Sequence, residues 1–203
     1  EKYMAKLWYD IPGYFNYVET YDRIANILPD GSKFIELGCL LGKSTSFLAS
    51  RLKELNKKFE FHVVDTFEGT AGEHDHLTDF YDMFIENCGH FINEGWITKV
   101  HKCTTNEAVN LFEDKYFDAI LVDADHKYEA VVQDVKNWLP KLKDDGTMFG
   151  DDYYMESVKV GCHRGLAEHY KKDNVPLQAM WGQESTWVHD KSDSKDRWLK
   201  KIP

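Results

Sequence analysis

The chain lacks any apolar run approaching the roughly 20 residues that a bilayer-spanning helix requires, so no membrane partner is expected. It also lacks a basic excess. Its formal charge is −10, whereas a face that binds phosphate backbones needs the opposite sign, so no nucleic-acid partner is expected. The four cysteines, Cys39, Cys88, Cys103 and Cys162, form no C-x-x-C pair. Scattered thiols suit a reducing cytoplasm, with Cys39 and Cys103 read as small apolar fillers. No repeat, linker or low-complexity tract interrupts the sequence. No signal-peptide pattern opens it, and Glu1 in place of Met is what a trimmed or renumbered chain would show. What is present is 203 residues at 42% apolar content, enough for one good core and one domain.

The chain is organised around Lys33 to Thr45, KFIELGCLLGKST. A short apolar run carrying Glu36 meets two glycines, Gly38 and Gly42, and Lys-Ser-Thr then opens a helix. A buried strand, a glycine turn and a helix start make a corner where a nucleotide can approach backbone N–H groups. Twenty-three residues after Gly42, Asp65 closes a second apolar run, FEFHVVD, at a spacing that suits the paired hydroxyls of an adenosine ribose. Only three residues separate the glycines, one short of a phosphate-wrapping P-loop. No tyrosine has a lysine four positions later, and G-x-G-x-x-G is absent, so a dehydrogenase is disfavoured.

Residues 3–18 carry Tyr3, Trp8, Tyr9, Tyr14, Phe15 and Tyr17, either a cap on one end of the core or an aromatic lid over a ligand. Val18, Tyr21, Ala25 and Leu28 then recur at helical spacing until Pro29-Asp30-Gly31 stops them. Strands read at about 33–37, 60–64, 97–102, 117–122 and 146–150, and helices at about 43–56, 76–93, 104–113, 127–142 and 156–172. The ending, VPLQAMW, a Gly182-Gln183 turn and ESTWVHD, reads as two antiparallel strands. The alternation implies an α/β fold with a mostly parallel sheet and helices on both faces. An aromatic and helical cap (1–30), a main domain (31–190) and a charged, solvated tail (191–203) follow.

A second concentration of chemistry follows the fourth strand. VDADH places Asp123, Asp125 and His126 there, and the fifth strand ends in Asp151-Asp152 at the same edge. Acids so crowded repel unless paired, and their oxygens suit a hard divalent cation such as magnesium. Helix capping or solvent exposure is the plainer account of some of them. The run Gly72-Glu73-His74-Asp75-His76 reads as polar surface, with a substrate-loop role open.

Taken together, the glycine turn, VDTFEGT and VDADHKYEAV…DDGTMFGDDY resemble a small class I S-adenosylmethionine-dependent methyltransferase from about Ile11 to Asp190. The resemblance implies a Rossmann-like fold with a seven-stranded, mostly parallel sheet closed by an antiparallel hairpin. Asp123 and Asp151 lie 28 positions apart, similar to the metal ligands of catechol O-methyltransferases. The Asp-Asp pair resembles that of macrocin-type sugar O-methyltransferases. Carried over, Asp123, Asp151 and Asp152 would hold magnesium, and His126 stands where the catechol enzymes place a base lysine. Glu36, Gly38, Gly42 and Ser44 would serve the methionine end of the cofactor and Asp65 its ribose. Thr66, Phe67 and Thr104 would serve its adenine, with Asp123 close by. Leu40, where many relatives have glycine, is expected to keep an ordinary φ while the glycines absorb the turn. The expected activity is methyl transfer to a hydroxyl of a small molecule or sugar, with a homodimer left open. The alternatives are a metal-free methyltransferase using His126, a non-catalytic S-adenosylmethionine or nucleoside-binding module, and a P-loop enzyme weakened by its short loop.

Overall fold

The computed structural model describes residues 6–179, 185–192 and 197–198. Seven strands form one sheet in the order β3-β2-β1-β4-β5-β7-β6. The strands are β1 (Lys33–Leu37), β2 (Glu60–Asp65), β3 (Lys99–Lys102), β4 (Phe117–Val122), β5 (Leu142–Gly150), β6 (Gln178–Ala179) and β7 (Trp187–Asp190). The first five pair in parallel, and β7 joins β5 and β6 in antiparallel fashion. The chain order therefore reverses between β1 and β4, which opens a crevice at the carboxyl edge of the sheet. The expected Gly182-Gln183 turn between β6 and β7 lies outside the described residues.

Alternation along the strands sends side chains to two separate cores. Phe34, Phe61, Val63, Ala119, Leu121 and Phe149 face α1 (Val18–Ile27), α2 (Lys43–Glu54) and α3 (Tyr81–Asn93). Ile35, Leu37, Val64, Ile120, Val122 and Met148 face α5 (Tyr128–Trp138) and α6 (Glu156–Tyr170), with the short α4 (Thr105–Ala108) at one side. Apart from Ala119, each of these side chains contributes about 2 kcal/mol by leaving water. Gly161 and Gly165 let α6 press against α5, since a Cβ at either would meet Val131 or Val135 within 3 Å.

The expected helices all form, but several are shorter. The one drawn from residue 76 begins at Tyr81, because 66–80 is a loop tied by short-range bonds such as Phe80 N–H to the Phe67 carbonyl. The one drawn over 104–113 is a single α-turn, capped by Thr104 and Glu107, that tightens into a 3-10 turn. Leu28, before Pro29, is extended (φ −70°, ψ 139°), as the proline ring demands, and ends α1. The tail is not solvated throughout: Trp198 is buried against Phe149, and its indole N–H donates to Thr147 and Asp190. Among the described residues no helix is long and apolar enough to cross a membrane.

The glycine turn departs from expectation at Leu40, whose φ is +49°. Three residues must reverse the chain while Cys39 and Leu40 aim their N–H groups at Asp65 (2.9 and 3.0 Å), so the glycines alone cannot absorb the turn. That conformation costs a leucine about 1–2 kcal/mol, offset by the two charge-assisted bonds. Gly38 has a tighter requirement: its φ is +85°, and a Cβ there would lie 2.0 Å from the Asp123 carbonyl oxygen. Gly38→Ala is therefore expected to destabilise the fold by about 3 kcal/mol, from backbone strain and overpacking. Urea unfolding checks this, and a loss under about 1 kcal/mol would mean that the turn relaxes freely.

Candidate active site

A cavity of about 840 Å³ runs along the carboxyl edge, walled by residues from the ends of β1 through β5 and from the amino-terminal segment. Of the residues expected to serve a site, Gly38, Ser44, Asp65, Thr66, Thr104, Asp123, His126, Asp151 and Asp152 line it. Three do not. Gly42 lies behind the wall as the left-handed cap of α2 (φ +89°). Phe67 turns its ring into the core against Phe80, Tyr81 and Phe84, because an apolar ring gains more there than over an open cavity. Glu36 sits beneath the floor.

Glu36 is fully buried and accepts three hydroxyls, Tyr21 (2.7 Å), Ser44 (2.6 Å) and Thr45 (2.5 Å). Burial pushes its carboxyl up to about 7. The three hydrogen bonds oppose that shift, and the charge of Asp123 adds to it. Ser44, whose hydroxyl donates to Glu36, lines the cavity, whereas Glu36 does not. Asp65 has a different duty: one oxygen accepts Cys39 N–H and Leu40 N–H, the other Phe67 N–H (2.8 Å). It locks the glycine turn to the end of β2 and lines the cavity.

Beyond β4 and β5 the group of possible ligands is Asp123, His126 and Asp152, and among the described residues Asp151 is not part of it. His126 Nε2 lies 2.9 Å from Asp152 and 3.5 Å from Asp123, while its Nδ1 meets Glu73 at 3.0 Å. Burial works against a charged ring, but the carboxylates of Asp123 and Asp152 override it and raise His126 to about 11. As it stands the ring is an imidazolium at neutral pH. Burial also lifts Asp152, yet its bond to His126 outweighs that and holds it below the usual carboxylate range. Asp151 is pushed up to about 8, by burial first and then by the charges of Asp123 and Asp152. Its Oδ1 is buried without a hydrogen bond among the described residues, although the nearby Ser185 hydroxyl slightly favours the charged form. Asp152 reaches the cavity from a left-handed backbone (φ +57°), a conformation that aspartate tolerates better than most residues.

Two contributors were hidden in the sequence. Tyr17 donates its phenol to Asp123 (2.9 Å), and burial followed by the charges of Asp123 and Glu36 raises its pKa well above normal. The spacing showed an aromatic residue near a helix start but not where its hydroxyl would point. Glu73, from the run read as polar surface, arrives at His126 by a loop path that no periodicity encodes.

A doubly wound sheet, a glycine turn locked by an acid and a crevice of acids beyond it define a nucleoside-cofactor enzyme corner. A family model of a methyltransferase domain matches residues 35–153, more than half of the chain, and the protein belongs to that family, the class I S-adenosylmethionine-dependent methyltransferases. No curated protein matches the sequence. The fold is similar to that of CalS11, the TDP-rhamnose 3'-O-methyltransferase of calicheamicin biosynthesis (TM-score 0.57, 13% identity, 87% of this chain and 78% of that one). It is also similar to a candidate caffeoyl-CoA O-methyltransferase from Staphylococcus aureus (0.55, 14%, 89% and 85%). A third similar structure is a candidate methyltransferase from Streptococcus mutans solved with S-adenosylhomocysteine (0.54, 11%, 87% and 98%).

The buried acid beneath the floor has a signature in solution. Glu36 binds its proton more tightly in the folded chain, so its penalty is absent below pH 4.5, builds as pH rises towards 7 and is complete above that. Relative to Glu36→Gln, the wild type should lose about 3 kcal/mol of stability between pH 4.5 and pH 8. Urea titrations of both proteins at several pH values measure the difference, and a pH-independent gap would show that Glu36 is not perturbed.

Proposed function

We propose that the protein transfers the methyl group of S-adenosylmethionine to a hydroxyl of a small molecule or sugar, assisted by a divalent cation. The observation that carries this reading is the convergence of Asp123, Asp151 and Asp152 on one end of the cavity, with Asp151 Oδ1 buried and unpartnered. Ribose recognition alone requires no such cluster, which argues against a module that only binds the cofactor. The O-methyltransferases among the similar folds support the same acceptor chemistry.

The donor set fits a hard cation. Carboxylate oxygens predominate, and potential ligand atoms of Asp123, His126 and Asp152 lie within 4.8 Å of one another, with Asp151 adjoining. Asp123, Asp151 and Asp152 would hold the ion, which when bound would relieve their mutual repulsion and acidify an acceptor hydroxyl. The remaining work falls to the chain itself. Asp65 and the glycine turn hold the nucleoside, so that the sulfonium methyl and the acceptor oxygen can align for in-line displacement. Ser44, backed by Glu36, offers a hydroxyl to the methionine end. Tyr17 holds Asp123, and Glu73 holds the Nδ1 edge of His126, which leaves Nε2 facing the acids and the acceptor space. With a cation relieving Asp123 and Asp152, His126 would no longer be held as an imidazolium, and its neutral ring would be placed to receive the acceptor proton.

S-adenosylhomocysteine release with a panel of phenolic and sugar acceptors tests the proposal. Activity should vanish in chelator and return with magnesium. Asp151→Ala should cost on the order of 1,000-fold, the rate equivalent of several kcal/mol, and Asp152→Asn far less, since an amide oxygen still ligates. Cofactor affinity should survive both changes. Full activity in chelator, with His126→Ala inactive, would decide for a metal-free enzyme instead.

A further inference from the structure

Residues 68–79, in the loop between β2 and α3, contain no buried position, yet the residues on either side of them are anchored in the core. Phe67 and Phe80 are 0% and 2% exposed, and their rings meet edge to face at 5.8 Å. Phe80 N–H also donates to the Phe67 carbonyl (2.9 Å), so the segment leaves and re-enters the core through a closed neck, as an Ω-loop does. Between those ends the bonds are local. His74 N–H reaches the Thr70 carbonyl, Leu77 N–H the His74 carbonyl and Gly72 N–H the Asp75 carboxylate. Leu77 rests half-buried against the core. The backbone is left-handed at both ends, at Phe67 (φ +59°) and at Asp79 (φ +45°), which marks the neck as the place where hinge torsions collect.

This loop walls the cavity that Asp65 also lines. Gly69, Thr70, Ala71, Glu73 and His74 face it from the β2 side. The tip then crosses to the β4 side, where Glu73 Oε2 lies 3.0 Å from Nδ1 of His126. Among the described residues no other hydrogen bond or ion pair joins residues 69–78 to that far wall. A self-contained loop with a closed neck, tied across a cavity by one bond, has the construction of a lid and its latch. The latch also has a duty when shut, because it holds the edge of His126 opposite the one that faces the acids. Closure over the nucleoside and orientation of that ring are then one event.

We infer that residues 68–79 form a lid over the cofactor cavity, latched by Glu73 on His126. Cofactor entry and product departure wait on the opening of that bond, and His126 is oriented only while the lid is shut. The inference rests on the methyltransferase reading above.

Surface plasmon resonance with S-adenosylhomocysteine on the full chain tests it. A latch that governs access slows entry and departure alike, whereas a ligand contact slows departure alone. Glu73→Ala should therefore raise the association and dissociation rates together, each by about tenfold, and leave Kd within about threefold. His126→Ala removes the other half of the latch and should give the same rise, with no further gain in the double variant. Faster dissociation alone, matched by weaker binding, would make Glu73 an ordinary ligand contact and overturn the inference. Unchanged rates in a folded Glu73→Ala, or additive effects in the double variant, would overturn it as well. A wild type that binds no S-adenosylhomocysteine would instead overturn the methyltransferase reading on which the inference stands.

Discussion

Everything at the carboxyl edge depends on carboxylates held where they cannot be fully solvated. Glu36 is the deepest, carried by the central strand β1 on the face that also packs α1 and α2. Three hydroxyls from those two helices satisfy it, and in doing so they fix both helices against the strand. A buried acid without them would cost several kcal/mol, so the position of the helices and the ionisation of the acid are one problem. Tyr17, just before α1, extends the arrangement to Asp123, just after β4, and the amino-terminal segment thereby becomes part of the site wall.

The same crowding sets the character of the reactive end. Asp123, Asp151 and Asp152 approach from adjacent parallel strands; burial and then the charges of Asp123 and Asp152 raise Asp151, and the same two acids favour the proton on His126. Two positive groups can relieve such a cluster, an imidazolium or a bound cation. The geometry suits the first, with His126 Nε2 at 2.9 Å from Asp152. The oxygen-rich donor set and the unpartnered Asp151 oxygen are the features on which the proposal of a bound cation rests.

Much of this was legible in the residues. The strand, glycine turn and helix at Lys33–Thr45, the acid closing β2 and the acids after β4 and β5 all lie where a parallel sheet delivers strand ends. The alternation of strands and helices specified two-sided packing because β1, β2, β4 and β5 carry apolar residues on both faces. Helix ends were less legible. The loop 66–80 and the single turn of α4 are set by local hydrogen bonds that apolar periodicity does not register.

The sequence by itself determined the fold class and the edge of the sheet at which chemistry collects, because side-chain period and glycine placement are local properties of the chain. Only the tertiary structure decided what each polar atom faces. Leu40 takes a positive φ because Asp65, 25 residues away, draws two N–H groups to one oxygen. Phe67 enters the core rather than the cavity because α3 brings Phe84 beside it. Glu73 meets His126 across 53 residues, and Tyr17 meets Asp123 across 106. Contacts of that reach depend on the direction of a side chain in the assembled fold, and hydrophobic pattern carries no record of it.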